Sequence, residues 1–179
     1  RDRNIDARWM PFGFRKEKLK KHLNARLRPI DIGFRGNLNS QWNDSQREHL
    51  IERILNSNLE LNFDINPSKN GENFLFGDDY YSWIANCNYL INSPSAFDTV
   101  GPRFYEQMFL GAVPISIFNS YEGILFKDKN YICIDINYDD MEIKNKLMSK
   151  EIFNKIKNNN LELVKKFDIP FLIQNSSFL

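Results

Sequence analysis

Hydrophobic and polar positions along this chain follow two periods, one of two residues and one of about 3.6, and the pattern switches repeatedly between them. Tyr89, Leu90 and Ile91 form a short apolar run that ends in the turn formers Asn92, Ser93, Pro94 and Ser95, which predicts a strand emptying into a loop. After Gly101-Pro102, the residues Phe104, Met108 and Phe109 recur at helical spacing. Proline at a first helical position loses no hydrogen bond, and Gly111 stops the element. Ala112 to Phe118 then reads as a buried strand, so this stretch is one strand, loop, helix, strand step.

The rest of the chain repeats that grammar. Asp31 to Phe34 reads as a strand with Ile30, Ile32 and Phe34 on one face, and Gly36 lets the backbone turn sharply into a polar loop. Asp44 to Leu55 is a helix with Asp44 or Ser45 as cap and Leu50, Ile51, Ile54 and Leu55 as its apolar stripe. Leu59 to Ile65 alternates as a strand, Pro67 to Gly77 is a polar loop, and Asp78 to Asn86 a short helix. Tyr131 to Ile136 is another buried strand; Met141 to Met148 and Lys150 to Phe167 are helices, with a turn expected at Asn158 to Asn160. Strands alternating with helices predict an α/β fold with a doubly wound parallel sheet, in which ligands collect beyond the carboxyl ends of the strands.

Composition narrows the class. A chain of 179 residues with 42% hydrophobic and 14% aromatic content can bury one good core. The net charge of +1 gives no reason to expect nucleic acid as a partner. The stretch from Arg15 to Arg28 is locally basic, with Leu19, His22, Leu23 and Leu27 at helical spacing; it fits an amphipathic helix in peripheral contact with a membrane, or a solvated basic face. No apolar run approaches the roughly 20 residues of a membrane span. Cys87 and Cys133 fall in apolar elements and are expected buried and reduced, which suits a cytoplasmic setting.

The polar residues around the first loop carry the candidate chemistry. Arg103 lies in the first turn of its helix, where free N–H groups and the helix dipole already favour an anion, so its guanidinium adds a partner for phosphate. Glu106 follows one turn later on the same face, and a carboxylate there can accept from a vicinal diol such as a ribose. The same two residues also fit a surface ion pair on an ordinary helix. Beyond the strand at Asp31 to Phe34, a backbone without Cβ at Gly36 can approach a phosphate closely, and Arg35, Asn37 and Asn39 are candidates for the far side of a diphosphate, facing Arg103. A plain strand followed by a Gly-Asn turn is the alternative there.

Two segments resemble a known family. Glu106-Gln-Met-Phe-Leu-Gly111-Ala-Val-Pro114-Ile is similar to the E-A-x-x-x-G-x-V-P-V segment in the carboxyl-terminal half of retaining, group 1 GT-B glycosyltransferases. Asp98 stands where those enzymes carry a second glutamate, and the preceding Gly-Pro-Arg103 resembles the arginine-bearing signature of spore-maturation-protein-like glycosyltransferases and exostosins. Upstream, Arg8-Trp-Met-Pro-Phe-Gly-Phe14 and Ile30-Asp-Ile-Gly-Phe-Arg35-Gly36-Asn37-Leu38 look like the segments that lead into the nucleotide-binding half of the same group.

The resemblance implies a Rossmann-like domain, one half of a GT-B fold, with residues 1–28 as an interdomain segment carrying the basic helix and residues 29–179 as the nucleotide-sugar-binding domain. It implies transfer of a sugar from a nucleoside diphosphate donor to a glycan, protein or lipid acceptor, without a metal. The chain starts at Arg1 and is expected to lack the amino-terminal acceptor half. Arg103 and Arg35 would face the diphosphate with Gly36, Asn37 and Gly101, Glu106 would hold the ribose, and Ser95, Asp98 and Thr99 would line the donor-sugar pocket. An exostosin- or fucosyltransferase-type inverting enzyme, or a non-catalytic nucleotide-sugar-binding scaffold, would share the same pattern.

Other residues read as structural. Asp78-Asp79 and Asp139-Asp140 fit helix caps better than a metal-binding carboxylate cluster. His22 and His49 have no ligand set at metal spacing, and of Tyr80, Tyr81 and Trp83, which could stack on a nucleobase, at least one is expected in the core.

Overall fold

The computed structural model describes residues 13–23, 27–38, 44–68, 72–92, 100–117, 120–121, 123–135 and 137–170, with the main chain alone for 44–46 and 120. Five parallel strands form the central sheet: β1 (Ile30–Asn37), β2 (Phe63–Ser68), β3 (Cys87–Ile91), β4 (Val113–Ser116) and β7 (Ile132–Cys133), in the order β2-β1-β3-β4-β7. Between β4 and β7 a small antiparallel hairpin joins β5 (Ser120–Tyr121) to β6 (Leu125–Phe126). The helices are α1 (Lys16–Leu19), α2 (Asp44–Leu55), α3 (Gly77–Ala85), α4 (Pro102–Phe109), α5 (Asp140–Met148) and α6 (Lys150–Leu163).

Helices cover both faces of the sheet, as the repeated strand-helix pattern predicts. On one face Ile32 and Phe34 of β1, Val113 and Ile115 of β4 and the stripe Leu50, Ile51 and Ile54 of α2 form a core with Ile143, Leu147 and Ile156. On the other, Trp83 and Ile84 of α3 and Phe104, Tyr105 and Met108 of α4 pack with Leu90, the hairpin residues Tyr121 and Leu125, and Phe14, Leu19 and Phe167. Close packing on this side depends on Gly33, where a Cβ would lie 2.7 Å from the Trp83 ring and 2.8 Å from the Cys87 sulfur. Cys87 and Cys133 are free and buried.

The chain leaves β1 by way of α2 to reach β2 on one side, then crosses through α3 to β3 on the other. That reversal opens a crevice beyond the carboxyl ends of β1 and β3.

Several elements differ from the pattern reading, each for a reason of packing. β1 runs through Gly36 to Asn37 because it pairs with β2 as far as Gly36 with Pro67 and Asn37 with Ser68, so Gly36 makes no turn. β2 lies downstream of the expected Leu59 to Ile65; Leu59 is buried outside any strand, and Pro67 is tolerated because β2 is an edge strand. Ile30 packs on the opposite side of the sheet from Ile32 and Phe34, and Leu55 is 47% exposed.

Asn158 to Asn160 continue α6 instead of turning, since Asn160 is fully buried and exchanges hydrogen bonds with Asn130. The basic stretch is helical only over Lys16–Leu19, followed by a 3-10 turn at Lys20–His22. Its apolar residues do not share a face: Leu19 is buried at 1% exposure, whereas Leu27 is 83% exposed. What holds the segment is its pairing with the other end of the chain, through Phe14 N–H to Phe167 O at 3.0 Å and Ile169 N–H to Phe14 O at 2.9 Å. No helix among the described residues is long and apolar enough to cross a membrane.

Candidate active site

The crevice is built from the end of β1, the start of α4 and the flank of α3. Gly101 caps α4 in an extended conformation and Pro102 opens it, so the first-turn N–H groups carry no side-chain cap. Both ends of the connection from β3 are anchored. Asn92 is buried, its N–H donating to Ile115 O at 2.8 Å and its side-chain amide donating to Gln107 on α4, and Val100 is buried at the return. Ser95, Asp98 and Thr99, expected to line a sugar pocket, lie in that connection and fall outside the described residues, as does Asn39.

Arg103 is exposed in the first turn of α4, and its Nη1 donates to the main-chain carbonyl of Arg35 at 3.2 Å. The guanidinium carbon sits 5.8 Å from the centre of the Tyr80 ring, within cation–π range. Gly36 lies beside it: a Cβ there would be crowded by the Phe34 ring at 3.1 Å and would meet Nη1 of Arg103 at 3.4 Å, an ordinary contact. Asn37 ends β1 half-buried, with its carbonyl accepting from Arg47.

Glu106 is half-buried one turn along α4 from Arg103, and its Oε1 accepts from the Tyr81 hydroxyl at 3.3 Å. Burial pushes its carboxyl above the ordinary range, against the opposing pull of the Tyr81 hydrogen bond and the Arg103 charge. The neighbouring Tyr80 hydroxyl is pushed up to about 12, chiefly by burial, so it stays protonated at neutral pH.

Arg35 departs from the expected arrangement. The guanidinium expected opposite Arg103 across a diphosphate instead donates through Nη2 to both oxygens of Asp64, at 2.8 and 2.7 Å, and its carbon lies 5.4 Å over the Trp83 ring. Asp64 also accepts from Trp83 Nε1 at 2.8 Å and from the Asn66 amide at 2.5 Å. Alternation explains the arrangement. Arg35 lies on the α3 side of β1 beside the edge strand β2, which brings Asp64 within reach. The signal for Asp64 was visible as an acid inside the otherwise alternating LELNFDI run, which pattern reading passes over as a solvent-facing position.

Of the three aromatics of α3, Trp83 is the core residue, and Tyr80 stacks on it at 5.9 Å and 27°. His22 is tied to Ser82 at 3.1 Å and to Asp78 at 3.4 Å, and Lys21 bonds Asp78 at 2.5 Å. Asp139 forms a full capping box with Glu142, as an N-terminal carboxylate should. Among the described residues no group of three or more His, Cys, Asp or Glu is placed to hold a metal.

Several solved structures share this architecture. The carboxyl-terminal domain of a glycosyl transferase group 1 family protein, LpcC from Francisella tularensis, superposes with a TM-score of 0.50 over 87% of this chain and 93% of that one, at 13% identity. The fold is that of a GT-B carboxyl-terminal domain. Sucrose-phosphate synthase from Thermosynechococcus elongatus matches with a TM-score of 0.64 at 12% identity, over 93% of this chain and 50% of that one. Anabaena HepE, solved in complex with UDP-glucose, matches with a TM-score of 0.50 at 16% identity, over 94% of this chain and 45% of that one.

The GT-B domain therefore spans about half the length of the latter two proteins, and at these identities the likeness is one of fold. No protein-family model matches the chain, and comparison with curated proteins finds no match. Beyond the carboxyl end of β1, Arg103 at the start of α4 donates to the Arg35 carbonyl and lies beside Gly36, while Asn37 ends β1 and Glu106 lies one turn further along α4.

Proposed function

We propose that this GT-B domain binds a nucleoside diphosphate sugar and serves glycosyl transfer from it to an acceptor held by a second domain. The observation that carries the reading is the pairing on one helix of an exposed Arg103, in the uncapped first turn of α4, with a half-buried Glu106 one turn on, both at the carboxyl edge of the sheet. The UDP-glucose complex of HepE, which shares the fold, supports the same class of ligand.

In this reading the diphosphate lies against the α4 N-terminus and Arg103, beside Gly36 and Asn37. As the bond from the anomeric carbon to the diphosphate oxygen lengthens, negative charge grows on the leaving group, and Arg103 with the positive end of the α4 dipole stabilises it. Those groups fill the place of a cation, so donor binding is expected without a divalent metal. Glu106 accepts from the ribose hydroxyls, and Ser95, Asp98 and Thr99 line the sugar pocket. Arg35, matched in charge by Asp64, shapes the wall behind Arg103. The acceptor is a glycan, protein or lipid, and the setting is the cytoplasm.

Isothermal titration with UDP, GDP and their sugars in EDTA tests the reading. One diphosphate should bind, and Arg103→Ala and Glu106→Ala should each weaken it by roughly 1.5–3 kcal/mol, the scale of a hydrogen bond to a charged group. Retained affinity in both variants would refute the assignment.

A further inference from the structure

Two consecutive tyrosines on α3 touch the two residues that the donor-site reading uses on α4. Successive helical residues diverge by about 100°, so Tyr80 and Tyr81 present their rings in different directions. Tyr80 is backed by the core: it stacks on Trp83, which is 8% exposed and fixed through Nε1 to Asp64. Arg103 lies over the Tyr80 ring at 5.8 Å, and its further contact is the Arg35 carbonyl. A guanidinium has five N–H donors, so a carbonyl and a ring face hold it in place while leaving donors for an anion.

Tyr81 is backed differently. Its ring centre lies 5.8 Å from that of His22, whose side chain is only 9% exposed, and its hydroxyl donates to Oε1 of Glu106 at 3.3 Å. Among the described residues the second carboxylate oxygen accepts no hydrogen bond, so the donation from Tyr81 decides which oxygen is committed and which remains for a ligand.

We propose that Tyr80 and Tyr81 are positioning residues that set the two ends of the donor site separately, Tyr80 holding Arg103 for the diphosphate and Tyr81 orienting Glu106 for the ribose hydroxyls. The proposal rests on the donor-site reading. It makes ribose selectivity a property of a residue that does not touch the donor, because a carboxylate freed from Tyr81 can swing toward Arg103 and lose its alignment with the diol. Diphosphate affinity, by contrast, depends on the aromatic wall under Arg103.

The test titrates the wild type, Tyr81→Phe, Tyr80→Leu, Glu106→Gln and the Tyr81→Phe/Glu106→Gln double variant with three ligands. These are the nucleoside diphosphate that binds best, its 2′,3′-dideoxy analogue and inorganic pyrophosphate. Tyr81→Phe removes only a hydroxyl and should lower the preference for the ribose over the dideoxy ligand by about fivefold, with pyrophosphate affinity unchanged. In the Glu106→Gln background the same change should do nothing further to that preference, an outcome that a merely structural tyrosine would not produce.

Tyr80→Leu should weaken pyrophosphate and diphosphate to the same degree, leaving the preference intact. If Tyr80→Leu melts below the assay temperature, Tyr80→His, with a smaller aromatic face, replaces it. An unchanged preference in Tyr81→Phe, or a loss of pyrophosphate binding in that variant, overturns the proposal while leaving the donor site standing. A wild type that binds none of the three ligands overturns both.

Discussion

Glu106 illustrates how a half-buried carboxyl is held at some cost to stability. Burial raises its carboxyl above the ordinary value of 4.5, so between that value and the raised one the folded chain holds more protons than the unfolded chain. The contribution of this group to stability therefore falls as pH rises through that window and stays low at neutral pH. Glu106→Gln is expected to raise the melting temperature at neutral pH and to narrow its advantage as the pH is lowered below 4.5, which thermal melts at stepped pH would show. A melting temperature that drops at neutral pH would mean that the Tyr81 and Arg103 contacts outweigh the burial of the charge. At this scale the sequence places Arg103 in the first turn of its helix and Glu106 one turn on, because a helix start and a one-turn spacing are local. Asp64 and Tyr81 were beyond it as partners, since each meets its arginine or glutamate across separate elements.

At the scale of elements, periodicity located most helices closely, α2 at Asp44–Leu55 included, since an amphipathic stripe is written in consecutive residues. It failed where a polar residue is buried by a partner. Asn158 to Asn160 reads as a turn, yet Asn160 sits within α6 with its amide donating to Asn130 O at 2.8 Å and its carbonyl accepting from the Asn130 amide at 3.1 Å. Asn130 in turn accepts from Phe126 N–H at 3.1 Å, so the asparagine pair ties α6 to the turn that closes β6. Asn160→Leu would leave buried polar atoms of Asn130 unpaired and should cost about 1–3 kcal/mol, measurable as a lower urea midpoint at unchanged slope. An unchanged midpoint would show that the neighbourhood repacks around leucine without loss.

For the whole molecule, the meeting of the segments around Phe14 and Phe167 completes the core on the α4 side. Phe167 stacks on Tyr105 at 4.4 Å and 19°, Phe14 lies 5.2 Å from Phe109, and the two segments pair through main-chain hydrogen bonds. Phe167→Ala should destabilise by about 3–5 kcal/mol, the scale for truncating a buried aromatic ring, and a chemical denaturation curve would measure it. A loss below about 1 kcal/mol would mean that this closure is peripheral to the core.

Residue order by itself determined the class of this protein. Alternation of periods two and 3.6 specifies strands and helices locally, their alternation specifies a parallel doubly wound sheet, and Gly101-Pro102-Arg103 specifies where a helix begins with an arginine in its first turn. Only the tertiary structure decided which strands are neighbours, and with that which side chains meet. The register of β1 with β2 keeps Gly36 in a strand and brings Asp64 to Arg35, while the packing of α3 against α4 delivers Tyr80 to Arg103 and Tyr81 to Glu106. Local pattern sets the shape of each element because its forces act within a few residues, whereas the partners of a charge or a hydroxyl are set by contacts between residues distant in sequence.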